Sequence, residues 1–233
     1  MEGAHDVSGP AIAIRDLHLR RASRQVLAGV SLTVGRGEIV ALMGASGSGK
    51  TTLLRTLAGL DAFDAGTLMV DGVTISGGPR PTHVVSDLRR KVGLVFQFHC
   101  LFEHLSVLDN VTLAPLHVQR VGRGEAERVA HALLESLGID HRAAALPREL
   151  SGGEAQRAAI ARALATDPPV LLMDEPTASL DPTRRQDLTE LLRSLAGQRR
   201  TLLLTTHDTE FARATATRMV YLRNGKAEEK EDE

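Results

Sequence analysis

The sequence holds a single cysteine, Cys100, among 233 residues, so no disulfide can close within the chain. That fits a reducing compartment. Cys100 lies in a Phe/Leu-rich stretch and is expected to be a buried, inert thiol. Long apolar runs are also missing: none approaches the about 20 residues that a membrane-spanning helix needs. Any membrane contact is therefore expected to come through a partner, with the chain itself on the cytoplasmic side. Charge of one sign is absent too. The formal net charge is -1, and nothing in that balance calls for nucleic acid. Residues 1–10 carry acidic and polar groups without an apolar signal core, and are expected to be a loose leader. The acidic run at 227–233 is expected to be a disordered tail.

What is present is an ordinary globular composition, 42% apolar and 24% charged, enough for one core with a subdomain attached. Ile12 to Leu19 and Val30 to Val34 alternate apolar with polar residues, as half-buried strands do. Ile39 to Met43, Val170 to Met173 and Thr201 to Thr205 are short apolar runs of the buried parallel type. Thr67 to Val70 followed by Asp71-Gly72 reads as a hairpin arm, and Val92 to Phe96 as a further strand. Helical patterns cover Lys50 to Gly59, Val107 to Gly138 with a break at Gly122 to Gly124, Ala155 to Ala165, and Arg184 to Ala196. Strands alternating with helices predict an α/β fold with a mostly parallel sheet. The richer helical stretch, roughly 98–160, is expected to be a subdomain inserted into a domain of residues 11–226. An antiparallel β subdomain is expected on the N-terminal side.

Gly44-Ala45-Ser46-Gly47-Ser48-Gly49-Lys50-Thr51 matches the phosphate-loop pattern, between a buried strand and a helix. Glycines let the backbone curl so that successive N–H groups face phosphate oxygens. The helix N-terminus adds partial positive charge. Lys50 is placed to reach the β- and γ-phosphates, Thr51 to coordinate Mg²⁺, and Thr52 to donate to a nearer phosphate. The core is thus expected to be a P-loop NTPase of RecA-like type. The apolar run Val170 to Met173 ends in Asp174-Glu175-Pro176. Carboxylates at the C-terminal end of a central parallel strand lie where ligands bind in such sheets. Asp174 is positioned for Mg²⁺, and Glu175 to accept a proton from, or orient, the attacking water.

Leu150-Ser151-Gly152-Gly153-Glu154-Ala155-Gln156-Arg157 opens a helix upstream of that strand. A serine hydroxyl and glycine amides there make a second anion site, although Ser151 can equally cap its own helix. This segment resembles the signature of the ABC ATPases, and the resemblance runs from about Ile12 to Lys226. It implies a head-to-tail pair in which the phosphate loop of one copy and Ser151, Gly152, Gly153 and Glu154 of the other sandwich ATP. It further implies that Gln97 contacts Mg²⁺ and water, that the loop Ser179-Leu180-Asp181 crosses the dimer interface, and that His207 contacts the γ-phosphate. Relatives usually carry an aromatic residue some six positions before Leu27 to stack on adenine. Here Arg21 stands there, and a guanidinium can also stack on a base.

The stretch Val95 to Val111, with Leu113-Ala114-Pro115 after it, is similar to the bacterial polar amino acid importers. The resemblance implies separate membrane permease subunits and a solute-binding protein, with the chain peripheral on the inner membrane. The nearest alternative keeps the ATPase but serves lipoprotein release, macrolide export or cell division. A soluble ABC ATPase acting on ribosomes or DNA, or a binding-only regulatory subunit, fits less well. The first type usually carries paired domains or a long coiled-coil insertion, and the second lacks the intact Lys50, Asp174, Glu175 and His207 seen here.

Overall fold

The computed structural model describes residues 9–178 and 180–229. Most of the expected leader, residues 230–233 of the expected tail, and Ser179 lie outside the described residues. Among the described residues, ten strands form two sheets. Four make an antiparallel sheet in the order β2-β1-β4-β5: β1 (Ile12–Arg21), β2 (Arg24–Val34), β4 (Ala65–Val70) and β5 (Val73–Ser76). Six make the second sheet, ordered β10-β9-β3-β8-β7-β6. It contains β3 (Ile39–Met43), β6 (Val92–Val95), β7 (Val170–Asp174), β8 (Thr201–Thr205), β9 (Arg218–Arg223) and β10 (Lys226–Glu229). All neighbours in it are parallel except β9 and β10. The α/β class and the N-terminal antiparallel sheet agree with expectation.

Strands β3, β7 and β8 are buried at every residue, because the sheet is covered on both faces. On one face Ala41, Met43, Leu171, Met173 and Leu204 pack against Val111, Leu134, Ile160, Leu192 and Phe211. Those five come from helices α3 (Val107–Ala114), α4 (Arg123–Ser136), α5 (Gly152–Leu164), α6 (Pro182–Gly197) and α7 (Thr209–Thr215). On the other face Val40, Leu42, Leu172 and Leu203 meet Leu53, Leu54 and Leu57 of α1 (Lys50–Leu57). The same layer holds Ile14 and Leu68 of the antiparallel sheet and Leu88 of α2 (Thr82–Arg90). Helices α3 to α5 fill the chain between β6 and β7, with a π-helical turn at Pro115–Gln119 between α3 and α4. Among the described residues, no helix is long and apolar enough to cross a membrane.

Two expectations are corrected. Residues 227–229 of the expected tail belong to β10, whose backbone pairs with β9 as an edge strand, Ala227 opposite Leu222 and Glu228 opposite Tyr221. Charged side chains are compatible with such an edge, where one side of the strand faces water. Cys100 is exposed, not buried. His99 and Cys100 take left-handed backbone angles, φ 60° and 51°, which turn the chain outward, and Phe98 is 80% exposed.

Candidate active site

Strands β3, β8, β7 and β6 lie side by side and parallel, so their C-terminal ends open on one edge. The phosphate loop leaves β3, His207 follows β8, Asp174 and Glu175 end β7, and Gln97 follows β6. This juxtaposition, which single motifs cannot give, is the site.

The loop is shaped by two glycines above all. A Cβ on Gly44 would lie 2.6 Å from the Leu222 carbonyl oxygen and 2.8 Å from Ser48 Oγ, so the backbone could not approach β9 with any side chain there. Gly49 begins α1 at φ 107° without a side-chain cap, and the first turn holds no acid. The first N–H groups of the helix therefore stay available to an anion. Lys50 is 8% exposed, and its Nζ donates to the carbonyls of Gly44 at 2.8 Å and Ala45 at 3.3 Å. It lies 3.7 Å from Glu175 Oε1. Ser48 Oγ is buried without a hydrogen-bond partner; a buried hydroxyl in that state calls for a ligand or water.

Asp174 is buried and accepts at Oδ1 from Thr205 Oγ1 at 2.6 Å and Thr51 Oγ1 at 3.2 Å. Glu175 sits at φ 47°, an uncommon angle for a residue with a side chain. Its N–H is held by both the carbonyl (3.1 Å) and the hydroxyl (3.0 Å) of Thr205. That turn aims the carboxylate between Lys50 and His207, whose Nδ1 is 2.9 Å from Glu175 Oε2. A hollow of about 680 Å³ joins Ser46, Gly47, Gly49, Lys50, Thr51, Thr52, Gln97, Glu175 and His207. Thr51, Asp174 and Gln97 offer oxygen donors, the set a hard divalent cation takes with water and phosphate oxygens completing its shell. Among the described residues no group of three or more His, Cys, Asp or Glu is placed to hold a metal by itself.

Sequence reasoning missed Thr205, which binds the Asp174 carboxylate and the Glu175 backbone N–H. The only signal was its register opposite Asp174 across β7 and β8. It also missed Arg24. The expected base contact, Arg21, is turned to Asp61, with Nη2 2.5 Å from Oδ2. The guanidinium beside the loop is that of Arg24, whose Nη2 donates to Gly47 O at 3.3 Å.

The signature residues are not brought to this hollow within one chain. Ser151, Gly153 and Glu154 line a second one of about 800 Å³ with Leu180 and Arg184. Ser151 caps α5: its Oγ accepts from Glu154 N at 3.3 Å while Glu154 Oε2 accepts from Ser151 N at 2.7 Å, a reciprocal capping box. The Ser151 N–H, with the Ser151 hydroxyl and Arg142 beside it, holds the Glu154 carboxyl below its ordinary range. Gly152 is the first residue of α5. Asp181 caps α6 by accepting from Arg184 N at 3.0 Å.

The family model for "ABC transporter" matches residues 27–178. The chain is 45% identical over 224 residues to the octopine permease ATP-binding protein P of Rhizobium meliloti, covering 93% of this chain and 86% of that one. It is 43% identical to the glutamate transport ATP-binding protein GluA of Corynebacterium glutamicum, covering 85% and 81%. Among solved structures, the dimeric bacterial ABC transporter cassette MJ0796 superposes with TM-score 0.83 at 32% identity, over 95% of this chain and 100% of that one. A post-hydrolysis form of that cassette, bound to ADP and Pi, matches equally. With the phosphate loop, the acidic strand end and the signature helix in place, these likenesses carry one conclusion: the chain belongs to the ABC transporter family, as one of its ATP-binding cassettes.

Proposed function

We propose that the chain is the ATP-hydrolysing subunit of an importer for polar amino acids, working as a head-to-tail homodimer on the cytoplasmic face of the membrane. The observation that carries the chemistry is the Glu175 carboxylate held between Lys50 and His207 at the mouth of the phosphate loop. The relatives named for octopine, glutamate, glutamine and arginine/ornithine transport support the cargo class.

ATP enters with its phosphates on the loop Gly44 to Thr52. The backbone amides and Lys50 take the charge, and the orphaned Ser48 hydroxyl gains an acceptor. Lys50 exchanges the carbonyls of Gly44 and Ala45 for the β- and γ-phosphates, a stronger charge-assisted contact. Mg²⁺, which neutralises phosphate charge when bound, would be held by Thr51, Asp174 and Gln97. Two copies close so that each signature, Ser151 to Glu154, meets the nucleotide of the other, with Asp181 at the interface. Glu175 orients the attacking water and accepts its proton, a role worth about 10²- to 10⁴-fold. His207 steadies that carboxylate and donates toward the γ-phosphate. The base contact falls to Arg24 in this reading, because its guanidinium lies against the loop while that of Arg21 is engaged by Asp61.

Work is delivered to two permease subunits through the loop after Gln97. There Phe98 and Phe102 stand exposed beside the exposed Cys100, an apolar patch that needs a cover. A periplasmic or surface solute-binding protein acts on the far side of the permease. The test is a pull-down of the tagged chain from gently solubilised membranes, followed by mass spectrometry. An amino acid permease is the expected companion. A lipoprotein-release or division protein in its place would overturn the cargo and leave the ATPase standing.

A further inference from the structure

The α5 N-terminus is an awkward place for a phosphate. Its first turn already carries the Glu154 carboxylate, which occupies the Ser151 N–H. Arg142 at 3.2 Å and His141 at 3.8 Å lie against Glu154 on one side. Without further cations, an incoming triphosphate would meet a helix end whose dipole is largely offset by its own acid.

Arg184 supplies such a cation on the other side of the signature. A Cβ built on Gly153 would lie 3.3 Å from Arg184 Cδ and 3.5 Å from its Nε. The arginine therefore lies against the second signature glycine, where a Cβ would make a tight contact with its Cδ. Its Nε is 3.3 Å from Asp181 Oδ2, with the two side chains 45% and 53% exposed. A pair so exposed contributes little and is readily exchanged for a phosphate, which suits the guanidinium fork better. Neighbouring arginines are otherwise engaged: Arg157 with Asp187 at 3.1 Å, and Arg185 with Asp208 at 2.7 Å and the Leu180 carbonyl at 3.2 Å.

We infer that Arg184 is a nucleotide contact delivered across the dimer: it leaves Asp181 on closure and binds the terminal phosphate of the ATP held by the partner's phosphate loop. The inference rests on the head-to-tail reading above. It makes the signature site a composite of Ser151, Gly153 and Arg184, with the arginine offsetting Glu154.

The test uses the full chain carrying Glu175→Gln, in which hydrolysis is blocked, and follows ATP-dependent dimerisation by light scattering. Arg184→Ala in that background is expected to raise the ATP concentration for half-dimerisation about tenfold, the size of one charge-assisted hydrogen bond. Arg184→Lys should restore most of the loss. ATP binding to dilute single chains and melting without nucleotide should not change. Dimerisation of Arg184→Ala at the parent's midpoint would overturn the contact while leaving the dimer. A loss that follows lowered melting and is not rescued by lysine would overturn it too. Failure of the Glu175→Gln parent to dimerise at all would sink the head-to-tail reading, and Arg184's role with it.

Discussion

Two helices in this chain begin on glycine-rich segments, and they are built in opposite ways. Helix α1 starts at Gly49 with no side-chain cap and no acid in its first turn, and a nearly buried Lys50 is folded back on the loop's carbonyls. Helix α5 starts at Ser151 with a closed capping box and Glu154 in its first turn. The first is an open site with a full positive charge attached. The second is already satisfied by its own side chains, so it has little reason to hold phosphate alone. Under the proposed head-to-tail pairing, the difference teaches a division of labour: α1 captures the nucleotide, and α5 adds its contact only when a second copy brings a nucleotide already bound.

The sharpest break in that comparison lies between binding and chemistry. Glu175→Gln should lower phosphate release by about 10²- to 10⁴-fold, as expected for loss of a general base, with ATP retention unchanged in a filter-binding assay. Lys50→Ala should act on capture itself. Loss of a charged hydrogen bond worth about 1.5–3 kcal/mol would weaken ATP binding by about 10- to 150-fold in a fluorescent-nucleotide titration. Ser151→Ala should leave that titration untouched yet reduce hydrolysis, and it should lower stability by about 1 kcal/mol through the lost cap. A Ser151→Ala chain that bound ATP as poorly as Lys50→Ala would erase the distinction between the two helix starts. Arg24→Ala should weaken ATP binding a few-fold, on the order of one exposed stacking contact, while Arg21→Ala should not.

The smallest effect concerns the C-terminal end of α1. There the Arg55 hydrogen bond holds the Asp61 carboxyl below its ordinary range, with burial opposing it and Arg21 helping. A lowered native value means that Asp61 stabilises the fold above its ordinary pKa and loses that contribution as pH falls through the native value. Asp61→Asn should therefore melt below wild type at neutral pH, and the gap should close on acidification.

The strands that carry the site were legible because β3, β7 and β8 are short runs built on apolar residues and ended or closely followed by Gly44, Asp174 and His207. Helix α2 was not: Val84, Val85 and Leu88 fall at helical spacing, but the element is only nine residues long and Leu88 is its one buried residue, too little for periodicity to single out. Strand β10 was hidden by its glutamates, which an edge tolerates. Position counting pointed to Arg21, whereas Arg24 is the arginine that lies against the loop. The β1–β2 hairpin turns at Ala22 and Ser23, and only the fold reveals which arginine reaches the loop. Cys100 was misjudged because a Phe/Leu-rich segment reads as core, whereas left-handed His99 and Cys100 turn it outward. Thr205, which binds the Asp174 carboxylate and the Glu175 backbone N–H, belongs to no local motif at all.

The most direct test of the central claim is the mass of the ATP complex. Glu175→Gln protein with ATP and Mg²⁺ should scatter light as a dimer, and adding Ser151→Ala should return it to single chains that still hold ATP. A complex that stays single with ATP bound, or a dimer indifferent to Ser151, would contradict an account in which the two helix starts form one site between two copies.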